Sequence, residues 1–282
     1  MNIHSSAKNE IAPFLEKLPI PASHSHKGQN GKLLIIGGSE LFHAAVIWAA
    51  EMAAHMVDMV HVSSTEENNE VIRSLKKIFR NGIVIPQKDI PSYAEEDDVI
   101  LMGPGMVREA ETARFTQNVL LSQPRKQFVL DAGALQMLQL EWISDREVPL
   151  ILTPHAGEFE RLFGVSLLDK PEHEVKQIVQ ETAARTRVTL LVKMGYDVIS
   201  NGEETVTVYG GNAGLTKGGT GDVLAGLTAS LFTKTDALSS AVLASYVLKS
   251  AADSLYQESG YWFSVSQLIS TIPHILKNLH YN

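Results

Sequence analysis

A strand–helix–strand pattern close to the N-terminus restricts this chain to a small group of folds. A short apolar run at 32–36 leads into the turn Gly37-Gly38-Ser39, an alanine-rich segment at 41–57 has the composition of a helix, and a second apolar run follows at 59–62. Two strands joined through a helix lie parallel in one sheet and are connected by a right-handed crossover. The chain is therefore expected to form an α/β fold with a mostly parallel sheet.

The same alternation of short apolar runs and longer amphipathic segments continues through most of the chain. Further strands are predicted at 82–86, 99–102, 127–130, 150–152 and 189–192, and further helices at 68–79, 109–121, 172–187, 237–256 and 265–276. The runs at 198–200 and 205–209, with Asn201-Gly202 in or near the turn, predict a hairpin. Pro273 is expected to disturb the last helix because proline has no amide hydrogen.

No repeat, low-complexity segment or linker divides the sequence, so residues 1–282 are expected to form one domain. The first thirty residues, 1–30, are expected to be a peripheral segment. Within it, apolar residues at 11–18 suggest a short helix that Pro19 and Pro21 end.

The composition argues against several classes of function. The chain has 282 residues, 44% of them apolar, and its formal net charge of −8 argues against nucleic acid or an anionic membrane as the main partner. It contains no cysteine, which excludes disulfides, thiolate catalysis and cysteine-based zinc sites. Because neither the apolar core of a signal peptide nor an apolar run of about 18 residues is present, a soluble, cytoplasmic protein is expected.

The stretch 210–222 is the strongest indication of a ligand site. It holds six glycines in thirteen residues, and apolar residues at helical spacing follow it, so a helix is expected to begin near Gly221. A glycine-rich loop before a helix N-terminus presents free amides and the positive end of the helix dipole, which bind phosphates above all. The stretch lacks the spacing of a Walker A loop. Asp222 is either a helix cap or a base that acts on something beside the phosphate.

Other candidate residues come directly after predicted strands, at the edge where open α/β sheets bind ligands. Gly103-Pro104-Gly105 is either a close approach of the backbone to a ligand or a sharp turn. Asp131 is a candidate for contacts with ribose, metal or phosphate-bound water. Thr153 is expected to cap the next helix, and His155 and Glu158 are expected on one face of its first turn, either near the ligand or in a structural cap.

Five motifs follow one another along the chain. They are Gly38-Ser39 before a helix, Gly103-Pro104-Gly105, Thr153-Pro154-His155-Ala156-Gly157-Glu158, a lysine after a late strand, and Gly218-Gly219-Thr220-Gly221-Asp222-Val223-Leu224-Ala225-Gly226. In type and order they resemble those of the ADP/ATP-dependent NAD(P)H-hydrate dehydratases of the ribokinase-like superfamily, over roughly residues 25–278. The resemblance implies a three-layer α/β/α sandwich with helices on both faces of the sheet.

The resemblance also implies a repair reaction. The 6-hydroxylated hydrates of NADH and NADPH (NADHX and NADPHX) would be dehydrated at the expense of ADP or ATP, with Mg²⁺. Hydroxide is a poor leaving group, whereas a phosphorylated hydroxyl departs easily as the ring nitrogen pushes electrons. Asp222 would deprotonate the hydroxyl as it attacks the terminal phosphoryl group. Backbone amides from Gly219 to Gly221 would stabilise the charge on that group.

Residue roles follow from the family match. The hydrate would contact Ala45, Gly105, His155 and Asp222. The adenine nucleotide would contact Lys193, Met194, Gly195, Tyr196, Asp197, Gly219, Thr220 and Gly221. Asn212 and Glu158 would support the phosphates and magnesium or its waters, with no direct metal ligand assigned. The family also suggests a homo-oligomer, with the helix at 41–57 as a candidate contact surface.

Several positions depart from the family's pattern. Phe42 and Ala44-Ala45 stand where a tyrosine and a Gly-Ala pair are usual, and Val57-Asp58-Met59 replaces a Gly-Ala-Gly. Gly133 replaces the second aspartate of the family's Leu-Asp-Ala-Asp-Ala-Leu. Asp197 places a carboxylate where the family's Lys-Gly-x-x-Thr has a hydroxyl that meets the nucleotide.

Two other functions fit the same residues. The first is a ribokinase-like small-molecule kinase, in which Asp222 activates an alcohol and the phosphorylated product is released. The second is a nucleotide-binding or scaffold protein that has kept the fold and lost turnover, which the departures at Gly133 and Asp197 favour.

Overall fold

A sheet of ten strands runs through the centre of the residues that this computed structural model describes, 1–281. The strands are β1 (Asn2–His4), β2 (Lys32–Ile36), β3 (Met59–Ser63), β4 (Gly82–Val84), β5 (Val99–Met102), β6 (Gln127–Leu130), β7 (Leu150–Leu152), β8 (Thr189–Val192), β9 (Asp197–Ser200) and β10 (Thr205–Tyr209). Their order across the sheet is β1-β10-β9-β8-β7-β6-β5-β2-β3-β4. Neighbouring strands are parallel, except that β9 is antiparallel to β8 and to β10. The predicted parallel sheet and hairpin are both present.

Helices cover both faces of this sheet. They are α1 (Lys8–Leu15), α2 (Ala44–Ala54), α3 (Glu66–Ser74), α4 (Ile90–Glu96), α5 (Ala110–Ser122), α6 (Ala132–Met137), α7 (Ala156–Phe163), α8 (Glu172–Thr186), α9 (Thr220–Phe232), α10 (Ala237–Ser259) and α11 (Val265–Tyr281). Because side chains alternate along a strand, Leu33 and Ile35 share one core with α2, α9, α10 and α11, whereas Leu34 and Ile36 share the other with α4, α5, α7 and α8. Each such buried side chain contributes about 1.5–3 kcal/mol. The three-layer sandwich is confirmed.

The last helix differs from the prediction. Pro273 lies inside α11, which continues to Tyr281 rather than ending near Leu276. A proline there leaves the carbonyl of Ile269 without its helical donor, at a cost of about 3 kcal/mol. The helix tolerates this cost because Val265, Leu268, Ile269, Ile272 and Leu276 are all buried in the core. Within residues 1–281, no helix combines the length and the apolar character that crossing a bilayer requires.

The N-terminal segment, predicted to be peripheral, lies at one edge of the sheet and is built into it. Its strand β1 pairs in parallel with β10. With only three residues, β1 is too short to be recognised from the sequence. Ile3 of that strand, and Ile11 and Phe14 of α1, are buried in the core shared with α10 and α11. Residues 1–18 therefore contribute apolar contacts rather than a loose extension.

Candidate active site

The residues that follow four neighbouring parallel strands meet along one edge of the sheet. Gly103 follows β5, Asp131 follows β6, Thr153 follows β7 and Lys193 follows β8. The Lys193 amide donates to the carbonyl oxygen of Pro154 at 2.8 Å, which extends the parallel pairing of the last two strands past their ends. This is the carboxyl edge at which open α/β sheets bind ligands.

Asp131 and Lys193 form an ion pair at this edge, in which Asp131 is buried and Lys193 is partly exposed. Lys193 Nζ lies 2.7 Å from Asp131 Oδ1, and the Thr153 hydroxyl donates to the same oxygen at 2.7 Å. Burial by itself lowers the pKa of Lys193, but the carboxylates of Asp131, Glu158 and Asp222 outweigh burial and raise it. Lys193 is therefore a cation that contacts Asp131 and is further stabilised by the negative charges of Glu158 and Asp222. Its predicted place was the nucleotide site; its observed contacts are with Asp131.

Asp222 lies in the first turn of α9, facing this ion pair. Burial, and next the negative charge of Asp131, raise the pKa of Asp222 to about 7, while Lys193 and its own backbone amide act in the opposite direction. A carboxylate that is half ionised near neutral pH is suited to accept a proton and release it again. The cap of α9 is Gly219, not Asp222, so the interpretation of Asp222 as a helix cap is wrong.

The start of α9 offers amides to an anion. Gly219 has a φ of 104°, a left-handed conformation, and a Cβ there would lie 2.5 Å from the ring of Trp48. The hydroxyl of Thr220 donates to the carbonyl of Leu215 at 2.6 Å and holds the loop in place. Within residues 1–281, no acceptor from another residue binds the amides of Gly221 and Asp222. Of the predicted amides, Gly221 is thus free, and Asp222 adds a second free amide beside it at the positive end of the helix dipole; that they bind an anion stays a prediction.

A cleft of about 720 Å³ opens beside Asp222. Ala45 and Gly105, two of the predicted hydrate contacts, line it together with Asp222 and Gly219. Ala45 and Gly105 are in contact, since a Cβ added to Gly105 would lie 2.9 Å from the Cβ of Ala45. Three of the four residues expected to contact the hydrate thus face one cavity. The fourth, His155, is not among the residues that line it.

His155 caps α7, in the role that the sequence assigned to Thr153. Its Nδ1 accepts from the amides of Gly157 at 3.0 Å and Glu158 at 3.3 Å, and Glu158 Oε2 accepts from the His155 amide at 2.9 Å. Thr153 is instead held by Asp131. Because Nδ1 accepts, the proton of the neutral ring is on Nε2, which lies 3.6 Å from Glu158 Oε1. The ring, about half exposed, presents a donor at the ligand edge.

The chain matches the family model described as NAD(P)H-hydrate dehydratase over residues 33–274. The chain belongs to this family. An ADP-dependent (S)-NAD(P)H-hydrate dehydratase from Nitrosopumilus maritimus is 31% identical to it, over 96% of this chain and 98% of that protein.

Two further matches describe the extent of the likeness. A bifunctional NAD(P)H-hydrate repair enzyme from Methanocaldococcus jannaschii is 34% identical over 90% of this chain but only 50% of that protein, so the chain spans about half the length of such relatives. The Bacillus subtilis ADP/ATP-dependent NAD(P)H-hydrate dehydratase, co-crystallised with ATP and Mg²⁺, superposes with a TM-score of 0.83 at 25% identity. That superposition covers 99% of this chain and 100% of the other.

The departure from the family at Asp197 is explained by contacts inside the protein. Asp197 is buried, its Oδ2 accepts from the hydroxyl of Ser245 at 2.6 Å, and its Oδ1 lies 3.5 Å from Lys249 Nζ. The same Oδ1 accepts from the Met194 amide at 3.3 Å. The carboxylate therefore faces the core. Of the predicted nucleotide segment, the exposed part is Gly195, with Tyr196 half-buried beside it.

The departure at Gly133 has a steric cause. A Cβ at Gly133 would lie 2.2 Å from the carbonyl oxygen of Met106 and 2.5 Å from its carbonyl carbon. No side chain fits there without displacement of the backbone, and the family's second aspartate is one of those excluded. Asp131, the first aspartate of the motif, is retained and carries the ion pair with Lys193.

Asn212 and Glu158, expected to support phosphate and magnesium, are occupied by other contacts. The amide nitrogen of Asn212 donates to the Ala252 carbonyl at 2.8 Å, and its oxygen accepts from the Gly214 amide at 2.9 Å. Glu158 Oε1 accepts from Gln136 Nε2 at 2.7 Å. Their supporting role stays a prediction. Within residues 1–281, no three His, Cys, Asp or Glu side chains converge closely enough to hold a metal ion.

Arg108 and Gln136 also line the cleft, and neither was predicted from the sequence. Neither residue belongs to a motif with a chemical signature of its own. Their positions after β5 and within α6, at the ligand edge of the sheet, are the only signal that would have suggested them.

Proposed function

We propose that this chain is an ADP/ATP-dependent NAD(P)H-hydrate dehydratase. The observation that carries the proposal is Asp222, whose pKa is raised to about 7 at the N-terminus of α9, facing a cleft of about 720 Å³ and the Lys193–Asp131 pair. Membership of the family and the names of the relatives from Nitrosopumilus maritimus and Bacillus subtilis support it.

The reaction proceeds in two steps. The C6 hydroxyl of the hydrate attacks the terminal phosphoryl group of the nucleotide, and Asp222 accepts the hydroxyl proton. The nucleotide leaves one phosphate shorter, and a phosphate ester remains at C6. The ring nitrogen then expels the phosphate, and loss of a proton from the neighbouring carbon C5 restores the dihydronicotinamide. The hydroxyl oxygen departs in the phosphate, so the atoms balance without free hydroxide.

The residues divide between the two ligands. The amides of Gly221 and Asp222, together with Lys193, stabilise the transferring phosphoryl group. Ala45 and Gly105 border the hydrate beside Asp222, and the Nε2 proton of His155 is offered at the same edge. Gly195, which is exposed, and Tyr196, which is half-buried, contact the nucleotide. Magnesium is held chiefly by the nucleotide phosphates and water, since this ion usually takes only one or two carboxylates from a protein.

The test is direct. NADH hydrate, prepared enzymatically, is mixed with ADP or ATP, Mg²⁺ and the protein, and the return of NADH absorbance is followed. Asp222→Asn is expected to lower kcat by about 10²- to 10⁴-fold, the usual contribution of a general base. No recovery of NADH with either nucleotide, although both ligands bind, would sink the dehydratase and support a protein without turnover. A phosphorylated alcohol that accumulates without elimination would instead indicate a kinase.

The cytoplasmic location and the homo-oligomeric state expected from the sequence belong to this proposal. Light scattering of the purified protein tests the second, and a mass equal to one chain would contradict it.

A further inference from the structure

A single cation lines the cleft that contains Asp222. Among the described residues around this cavity, Arg108 alone is a lysine or arginine. Lys193 is held by Asp131, and Lys217 donates to the carbonyl of Tyr261. In a chain of net charge −8, an exposed arginine on the wall of a ligand cleft is the local source of attraction for an anion.

The side chain of Arg108 is oriented by a chain of hydrogen bonds. Its Nε donates to Gln136 Oε1, and Gln136 Nε2 donates to Glu158 Oε1 at 2.7 Å. Glu158 is buried and is itself fixed, because its Oε2 accepts from the His155 amide at 2.9 Å. If Gln136 rotated to another partner, Glu158 Oε1 would lose the hydrogen bond that it accepts from Gln136. The guanidinium is thus anchored through Nε to a buried carboxylate.

This anchoring leaves the two terminal nitrogens of Arg108 without a protein acceptor in residues 1–281. A guanidinium held by Nε presents a rigid pair of N–H groups, which matches two oxygens of a phosphate. A hydrated dinucleotide carries a diphosphate, and its nicotinamide end belongs in the same cleft beside Asp222 if the proposed function holds.

We propose that Arg108, positioned by Gln136, binds the diphosphate of the dinucleotide substrate and so selects hydrates that carry phosphate. This inference rests on the proposed function for the identity of the ligand. It assigns to Gln136 a positioning role, because Gln136 acts through Arg108.

The experiment measures binding without turnover. In an Asp222→Asn background, the Kd of NADH hydrate is measured by calorimetry without nucleotide. Arg108→Gln is expected to raise this Kd about 10- to 100-fold, as for the loss of a charge-assisted hydrogen-bonded pair. Gln136→Met, which keeps the packing but frees the guanidinium, should give a smaller rise. Arg114→Gln, an exposed arginine of α5 outside the cleft, is the matched control and should leave the Kd unchanged.

A ligand without phosphate tests whether Arg108 recognises the diphosphate. The hydrate of reduced nicotinamide riboside has no phosphate, so Arg108→Gln should not weaken its binding. Equal Kd values of NADH hydrate with and without Arg108, or an equal loss with the riboside, would overturn the inference. Arg108-dependent binding without NADH formation by the chain with Asp222 intact would sink the dehydratase and leave the diphosphate contact standing. A chain that does not bind the hydrate at all would refute both.

Discussion

Lys193 Nζ lies 2.7 Å from Asp131 Oδ1, and both partners of this ion pair influence the pKa of Asp222. The two partners act on Asp222 in opposite directions, since Asp131 raises its pKa and Lys193 lowers it. Burial is the larger cause, and the result is a pKa of about 7. Asp131 therefore has an electrostatic effect on Asp222 besides holding Lys193.

The pH dependence of kcat/KM should report this arrangement. With Asp222 as the base, activity should rise with pH through about 7. Asp131→Asn removes a charge that raises the pKa of Asp222, so the acidic limb should move to lower pH. Glu160→Gln, at an exposed carboxylate of α7, serves as the control and should not move it. An unchanged limb in Asp131→Asn would show that another group titrates.

The stability of Asp222→Asn should depend on pH in a defined direction. The folded-state pKa of Asp222 is raised, so the folded protein binds this proton more tightly than the unfolded chain does. Its favourable contribution is full at acidic pH and is lost as pH rises through about 7. Asparagine carries no charge, so the variant does not lose the free energy that burying the ionised Asp222 costs the folded protein above this pH. The variant should therefore be more stable than the parent by about 1–3 kcal/mol near pH 8, and near equal to it around pH 4, as urea unfolding would measure.

Breaking the Asp197–Lys249 pair should be costly. Both side chains are buried, so Lys249→Met leaves a carboxylate in the core with Ser245 as its remaining side-chain partner. The expected loss is about 3–5 kcal/mol in the free energy of unfolding. The double variant with Asp197→Asn should recover part of it. Lys277→Met, at an exposed lysine of α11, should change little, and a loss of similar size there would refute the assignment.

Gly133 should tolerate no side chain. Gly133→Ala is expected to destabilise the protein by about 1–3 kcal/mol, because the methyl group meets the Met106 carbonyl. Gly133→Asp should be worse and should not raise activity, although it restores the family's residue. Gly195→Ala is the matched control, since nothing lies within 4 Å of a Cβ there. Chemical denaturation of the three variants decides; a neutral Gly133→Ala would contradict the steric explanation.

Capping and binding by His155 are separable. His155→Asn keeps a side chain that caps helices well but removes the Nε2 proton. It should retain the melting temperature and raise the KM for the hydrate. His155→Ala should also lose about 1 kcal/mol of stability. If His155→Asn leaves the KM unchanged, the residue is a cap alone.

Local sequence was sufficient for the framework. The strands β2, β5, β6, β7 and β8 have the predicted bounds because each, apart from the polar first residue of β2, β6 and β8, is an apolar run buried on both faces. The glycines before Asp222, followed by apolar residues at helical spacing, predicted a helix N-terminus near Gly221, and α9 begins one residue earlier, at Thr220.

The tertiary structure decided which polar groups meet. Thr153 was predicted to cap α7, but its hydroxyl donates to Asp131, at the end of β6, at 2.7 Å. His155 caps the helix instead. Asp197 was predicted to contact the nucleotide, but its carboxylate contacts Ser245 and Lys249 of α10. Lys193 and Asp131 are 62 positions apart in the sequence. Periodicity identifies the faces of a strand or helix, but the partners of a polar side chain depend on the order of strands in space, which only the folded chain fixes.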